Sequence, residues 1–184
     1  LGLSVVSFEK YKVGGECLNC GCIPSKALLK AAEAFHSAKT LKKYGITAEL
    51  SVKAFDPMGV VREKVGGITG KKMMSVFEKV HLVQGEAEFV DDRTIRAEGE
   101  DYTAKKIFIA VGTEPFLPPI PGLRDIPDIL TNANLFQLDK MPESLTIIGG
   151  GAIGSEMAQA FTRLGTKVSL IHMDPHLIPL GDAE

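Results

Sequence analysis

The stretch from Leu145 to Ile171 limits the fold more than any other part of the chain. It reads as a short apolar strand, Leu145-Thr-Ile-Ile148, then Gly149-Gly-Gly-Ala-Ile-Gly154, then a helical run from Ser155 to Leu164, then a second strand, Lys167-Val-Ser-Leu-Ile171. A Gly-x-Gly-x-x-Gly sequence is weak evidence alone, but strand–glycine turn–helix–strand is the context of a dinucleotide-binding βαβ unit. Each glycine has a task there. Gly149 allows the tight turn, Gly151 lets backbone approach a pyrophosphate, and Gly154 lets the helix pack on the strand. The N–H groups at the helix start and the helix dipole favour phosphate. The next strand runs out at His172. An acid there would select NAD, and an arginine nearby would select NADP. Histidine is neither, so the sequence leaves the choice between NAD and NADP open.

The second feature is a cysteine-rich turn, Gly14-Gly-Glu-Cys-Leu-Asn-Cys-Gly-Cys-Ile-Pro-Ser-Lys26, which holds all three cysteines of the chain. Cysteines leading into a helix are biased towards thiolate by the helix dipole. Two such groups close in sequence make a dithiol that can cycle with a disulfide. Three uses compete on spacing alone. One is a redox pair drawn from Cys17, Cys20 and Cys22. Another is a thiolate metal site, for which no fourth ligand is evident nearby. The third is a set of buried reduced thiols, which suits so glycine-rich a segment poorly. Lys26 lies one helical turn beyond Cys22, where a cation would stabilise a thiolate or an anionic cofactor atom.

The rest of the chain is consistent with an α/β protein. Residues 1–8 form a strand-like run ending at Glu9, an acid placed to accept hydrogen bonds from a ribose in a nucleotide fold. A helix is expected over 25–43, with Leu28, Leu29, Ala32, Phe35 and Leu41 as its apolar stripe. A second is expected over about 56–79, weakened by Gly66, Gly67 and Gly70. From His81 the pattern turns to strands. Residues 81–90, 94–97 and 102–109 predict a β-meander, with 105–112 a charged start followed by a buried strand. Pro115, Pro118, Pro119, Pro121 and Pro127 then form a connector that neither helix nor central strand tolerates, which puts a domain boundary near Pro142.

Composition narrows the function. The net charge of -2 leaves no basic field for nucleic acid or anionic membrane. No apolar run is long enough to span a bilayer, and the cysteine cluster is not a secreted disulfide framework. A cytoplasmic protein is the expectation.

The cysteine turn, Gly14 to Lys26, strongly resembles the active-site signature of the FAD-dependent pyridine nucleotide–disulfide oxidoreductases. Dihydrolipoamide dehydrogenase, glutathione reductase and mercuric reductase belong to that family. The resemblance extends to Ala110-Val-Gly112, similar to the flavin-contacting turn before the second domain, and to Gly149–Glu156, similar to the NAD(P) loop. It implies two Rossmann-like nucleotide-binding domains, FAD over 1–142 and NAD(P) over 143–184, with a small β-meander inserted in the first. It implies that Cys17 and Cys22 are the redox disulfide, Cys22 against the flavin and Cys17 facing substrate. Lys26 would sit near the flavin with Glu156 as its ion-pair partner, in the first turn of its helix. Glu9, Lys10, Gly14, Gly15, Glu16, Ala87, Val111, Gly112 and Thr113 would contact FAD. Gly149, Gly151, Gly154, Glu156 and His172 would line the NAD(P) site. No resident metal is implied.

The implied activity passes electrons between NAD(P)H, FAD and the Cys17–Cys22 disulfide to a small disulfide or dithiol, such as the lipoyl group of a carrier protein. A mercuric-type metal-ion reductase is the alternative on the same scaffold, and a non-catalytic thiol- or metal-binding fragment is a third reading. Four positions depart from the family pattern: Glu16 and Val111 each replace a threonine, Cys20 occupies a variable position, and His172 replaces a charged selector. The first FAD glycine loop and the dimerisation domain with its His–Glu pair are not in the sequence. The expectation is therefore a fragment truncated at both ends, inactive alone, of a homodimeric enzyme.

Overall fold

The computed structural model describes residues 2–46, 55–69, 74–179 and 181. The chain divides into two compact units, one of residues 1–19 with 65–128 and one of residues 20–64 with 129–184.

In the first unit, β1 (Val6–Glu9) and β2 (His81–Gln84) form a parallel pair, with Val6 opposite His81 and Glu9 opposite Gln84. The short helix α1 (Gly15–Asn19) follows β1. A separate antiparallel meander is built from β3 (Ala87–Phe89), β4 (Thr94–Ala97) and β5 (Glu100–Thr103). Ala97 pairs with Glu100, so Glu98 and Gly99 make a two-residue turn. Both have positive φ, 50° and 82°, the backbone that matches the right-handed twist of a hairpin.

Two strand expectations are corrected here. Residues 81–90 are not one strand of the meander, because the run breaks at Gly85-Glu86 and β2 pairs with β1. The Gly85 N–H donates to the Glu9 carbonyl at 2.9 Å, and the Gln84 amide donates to the carbonyls of Glu9 and Tyr11. Alternating apolar residues signal a strand but not its partner. The stretch 105–112 is neither a strand nor buried. β5 ends at Thr103, and Phe108 and Val111 are 88% and 89% exposed. Its β-branched and aromatic residues favour extended backbone, but no described strand supplies it with a hydrogen-bonding ladder.

In the second unit the long helix α2 (Cys22–Thr40) buries Pro24, Leu28, Ala31, Ala32 and Phe35. That stripe matches the expected one at Leu28, Ala32 and Phe35, while Leu29 is half-buried beside it. A single 3₁₀ turn, Leu41–Tyr44, extends the helix to the Gly45 stop. The next helix, α3 (Pro57–Ile68), whose residues up to Lys64 belong to this unit, is capped by Asp56, whose carboxylate accepts the Gly59 N–H at 2.8 Å. Of the helix expected over 56–79, the described residues show α3 and, later, one further short piece. Residues 70–73 lie outside the described residues, and only a short helix, α4 (Met74–Phe77) of the first unit, follows them.

The βαβ expectation is met by β6 (Ser144–Ile148), α5 (Ala152–Leu164) and β7 (Lys167–Ile171). β6 and β7 run parallel, Ser144 opposite Lys167 and Ile148 opposite Ile171. β6 alternates half-buried and exposed residues, so this two-stranded sheet has one covered face. α5 ends at Gly165, whose φ of 102° lets its N–H reach the carbonyls of Phe161 and Thr162. α2 and α5 pack together, and Leu28, Ala32, Ala160 and Phe161 on these helices are completely buried. Each large side chain so buried contributes about 1.5–3 kcal/mol.

Candidate functional site

The glycine loop between β6 and α5 has the geometry its spacing predicts. Gly149 adopts φ 106° and its N–H donates to the Ile171 carbonyl at 2.8 Å, which closes the turn onto β7. Gly151 caps α5, and an added Cβ there would meet nothing within 4 Å. At Gly154 an added Cβ would overlap the Gly149 carbonyl oxygen and lie 3.1 Å from its carbon, so helix and turn touch through bare backbone. Open backbone at the first turn of a 13-residue helix suits a pyrophosphate. The loop therefore fits the phosphate portion of a dinucleotide.

His172 closes this loop from the far end of β7. Its Nδ1 accepts the Gly150 N–H at 3.0 Å, and its Nε2 lies 3.1 Å from the His176 carbonyl oxygen and 3.5 Å from an Asp174 carboxylate oxygen. The Gly150 carbonyl accepts the Ile178 N–H at 2.8 Å and the Ser155 hydroxyl at 3.2 Å. Gly150 was not singled out by spacing, since it fills a variable position of the motif. Its importance arises only when residues 172–178 fold back over the loop. Ile178 sits at φ 54° within that segment, a conformation uncommon for a β-branched residue.

The cysteine turn spans the end of one helix and the start of the next. Cys17 is exposed on α1, Cys20 is half-buried after it, and Cys22 is exposed as the first residue of α2. All three are thiols. The Asn19 amide donates to the carbonyls of Lys12, Val13 and Gly15 at 2.9–3.3 Å, which ties α1 to the glycine turn before it. Asn19 carried no sequence signal of this role. Among the described residues no three His, Cys, Asp or Glu side chains are placed to hold a metal ion.

Lys26, one turn into α2, forms an ion pair with Glu156 of α5. These two residues are 130 positions apart, and the α2–α5 packing brings them together. Glu156 is the fifth residue of α5 rather than part of its first turn, because the helix begins at Ala152. Lys26 keeps 61% of its side chain exposed and Glu156 keeps 34%.

The remaining predicted residues lie in the first unit. A carboxylate oxygen of Glu9 accepts the Tyr11 N–H at 2.8 Å. The Lys10 ammonium pairs with Glu86 at 2.7 Å, and that hydrogen bond raises its pKa. Gly14 and Gly15 take φ 113° and 65°, with open space where a Cβ of Gly15 would stand. Glu16 follows them, exposed, on α1. Ala87 opens β3, next to Glu86. Val111, Gly112 and Thr113 are exposed in irregular backbone, with Gly112 at φ 72°. The backbone at Gly15 and Gly112 is open to a ligand, which fits a nucleotide cofactor at these turns.

The parallel βαβ unit thus carries a dinucleotide-type glycine loop, and the lysine that follows the cysteine turn pairs with its helix. The sequence profile of the pyridine nucleotide-disulphide oxidoreductases matches residues 1–184, and the chain belongs to that family, whose members use FAD and NAD(P)H. It is 40% identical over 189 residues to the dihydrolipoyl dehydrogenase of Thermus scotoductus, covering 100% of this chain and 40% of that protein. It is 37% identical over 188 residues to a mercuric reductase of Lysinibacillus sphaericus, covering 100% and 34% respectively. Among solved structures it is similar to the Cu(II) complex of the HOCl-induced flavoprotein disulfide reductase RclA from Escherichia coli. There the TM-score is 0.79 at 28% identity, over 99% of this chain and 39% of that one. The chain thus spans 40% or less of the length of these relatives. No described helix is long and apolar enough to cross a membrane.

Proposed function

We propose that the chain is the redox-active portion of a flavoprotein disulfide oxidoreductase that moves electrons from NAD(P)H to a small disulfide, or in reverse from a dithiol such as dihydrolipoamide. The carrying observation is the start of α2. Cys22 is exposed there, and Lys26, one turn on, is tied to Glu156 of the dinucleotide helix. On this reading residues 1–142 belong to an FAD-binding domain, with the meander as an insertion, and residues 143–184 begin an NAD(P)-binding domain. Bound FAD supplies the two-electron relay between a nicotinamide and a disulfide. Gly14, Gly15 and Val111–Thr113 are the backbone turns that admit it, with Glu9 and Lys10 at its ribose end.

The chain's own chemistry is then thiol–disulfide exchange. The Cys17–Cys22 disulfide gains two electrons and two protons and becomes two thiols, and the Cys17 thiol then gives up its proton. The Cys17 thiolate attacks one sulfur of the substrate disulfide. That S–S bond breaks, a Cys17–substrate disulfide forms, and the second substrate sulfur leaves as a thiol after taking a proton. Cys22 attacks Cys17 Sγ, expels the first substrate sulfur as a thiolate and restores the pair. Lys26 supplies positive charge near the reacting sulfur, and Glu156 holds its position.

Relatives named dihydrolipoyl dehydrogenase and mercuric reductase match at similar identity, so a metal-ion reductase is the second reading. Anaerobic reduction of the full-length protein tests the proposal. A long-wavelength thiolate-to-flavin charge-transfer band is expected. It should disappear in Cys22→Ser and survive in Cys20→Ser. A protein that lacks the band and retains zinc instead would belong to the thiol- or metal-binding class. Lipoamide and Hg²⁺ reduction, assayed side by side, separates the two enzymatic readings.

A further inference from the structure

The position at the end of the second strand of a dinucleotide unit ordinarily reads the adenosine ribose, through an acid for NAD or a nearby arginine for NADP. Here it is His172, and its hydrogen bonds point to another use. The Gly150 N–H can only donate, so Nδ1 of His172 must be the unprotonated nitrogen. In the neutral ring the proton then lies on Nε2, where it faces the His176 carbonyl, an obligate acceptor, at 3.1 Å. Both ring nitrogens are engaged by backbone of the same unit, and the side chain is only 15% exposed. The ring also packs on Gly150 itself, since a Cβ there would lie 2.8 Å from His172 Cγ. The same peptide is held at its carbonyl by the Ile178 N–H.

We propose that His172 is a positioning residue and not a nucleotide selector: it clips the Gly150 peptide of the dinucleotide loop in place, and neither of its nitrogens reads the 2′ substituent of the ribose. This rests on the reading of Gly149–Gly154 as a dinucleotide loop. The clip sets the backbone that meets the pyrophosphate, which NADH and NADPH share. Its loss should therefore weaken both nucleotides alike.

The test uses the full-length protein. NADH and NADPH affinities are measured by calorimetry for the wild type, His172→Ala and His172→Asn. The Asn amide oxygen can take the place of Nδ1 and accept the Gly150 N–H. His172→Ala is expected to weaken both nucleotides by about 2- to 13-fold, the range for one lost hydrogen bond, with their affinity ratio unchanged. His172→Asn should recover most of that loss for both. A ratio that shifts about tenfold or more, as loss of a hydrogen bond to phosphate would cause, overturns the proposal. Nitrogen-15 spectra of the nucleotide-free protein provide a second arm that does not depend on either variant folding. They should show His172 protonated at Nε2 only, and a ring protonated at Nδ1 overturns the clip. Failure of the wild type to bind either nucleotide would instead remove the dinucleotide reading of the loop, while the spectra still decide whether the clip exists.

Discussion

Replacing Gly154 by alanine should damage the fold, whereas the same change at Gly151 should damage only nucleotide binding. At Gly154 the new methyl would overlap the Gly149 carbonyl oxygen, lie 3.1 Å from the Gly149 carbonyl carbon and 3.5 Å from Ile147 Cγ2. The first two are backbone atoms of the turn that joins β6 to α5, so no side chain can rotate away. Relief requires α5 to move off β6, which strains the packing of Met157, Ala160 and Phe161, all buried on that helix. Overpacking of a tight core costs about 1–3 kcal/mol, and a clash with fixed backbone belongs at the upper end. For a protein of this size, about 3 kcal/mol lowers Tm by roughly 6–12 °C. At Gly151 φ is −71° and nothing lies within 4 Å of the new methyl, so Tm should change by no more than about 2 °C. That methyl would occupy the surface a pyrophosphate approaches, and NAD(P)H binding should fall at least about tenfold. Scanning calorimetry and nucleotide titration on both variants decide the matter. A Gly154→Ala protein that melts with the wild type would contradict the close helix–turn contact, and a Gly151→Ala protein that binds normally would contradict the pyrophosphate site.

Other perturbations have equally definite outcomes. The Lys26–Glu156 pair is largely solvent-exposed at its lysine, so a double-mutant cycle with Lys26→Met and Glu156→Gln should give a coupling of only about 0.2–1 kcal/mol, falling with added salt. A coupling several times larger would show that the pair is structural. Leu28→Ala, at a completely buried site, should cost about 2–5 kcal/mol by urea denaturation, and Leu29→Ala, half-buried beside it, clearly less. In the meander, two hydrogen bonds from Arg96 hold the Asp101 carboxyl below the usual carboxylate range. A depressed folded-state pKa stabilises the hairpin above the unfolded value of about 3.9 and loses that contribution as pH falls through the folded value. Amide protection at β4 and β5, taken relative to the intrinsic exchange rate at each pH, should therefore fall at acid pH in the wild type. In Asp101→Asn that protection should be low throughout and show no such step.

What the sequence disclosed follows from how local each signal is. The βαβ unit was legible because strand period, glycine spacing and helix stripe all act within 27 residues, 145–171. The α2 stripe was legible for the same reason. Strand partners were not: residues 81–84 alternate like a meander strand, yet their ladder is with β1, some 75 positions away in the chain. Residues 105–112 have every local property of a strand but no described partner, and remain irregular. The Lys26–Glu156 pair could be expected only through resemblance to a family, since nothing local links positions 130 apart. The roles of Gly150 and Asn19 were invisible because their partners are main-chain groups placed by the fold. His172 was noticed, but as a departure at a selector position rather than as a bond to the glycine loop.

The pairing of Cys17 with Cys22 is the central claim, and peptide mapping of the full-length protein tests it most directly. The oxidised protein is alkylated under denaturing conditions, before and after anaerobic addition of reduced nicotinamide dinucleotide, and digested. A Cys17–Cys22 cross-linked peptide with Cys20 alkylated is expected before reduction, and all three cysteines alkylated after it. A cross-link through Cys20, or three cysteines already alkylated in the oxidised protein, would contradict that pairing.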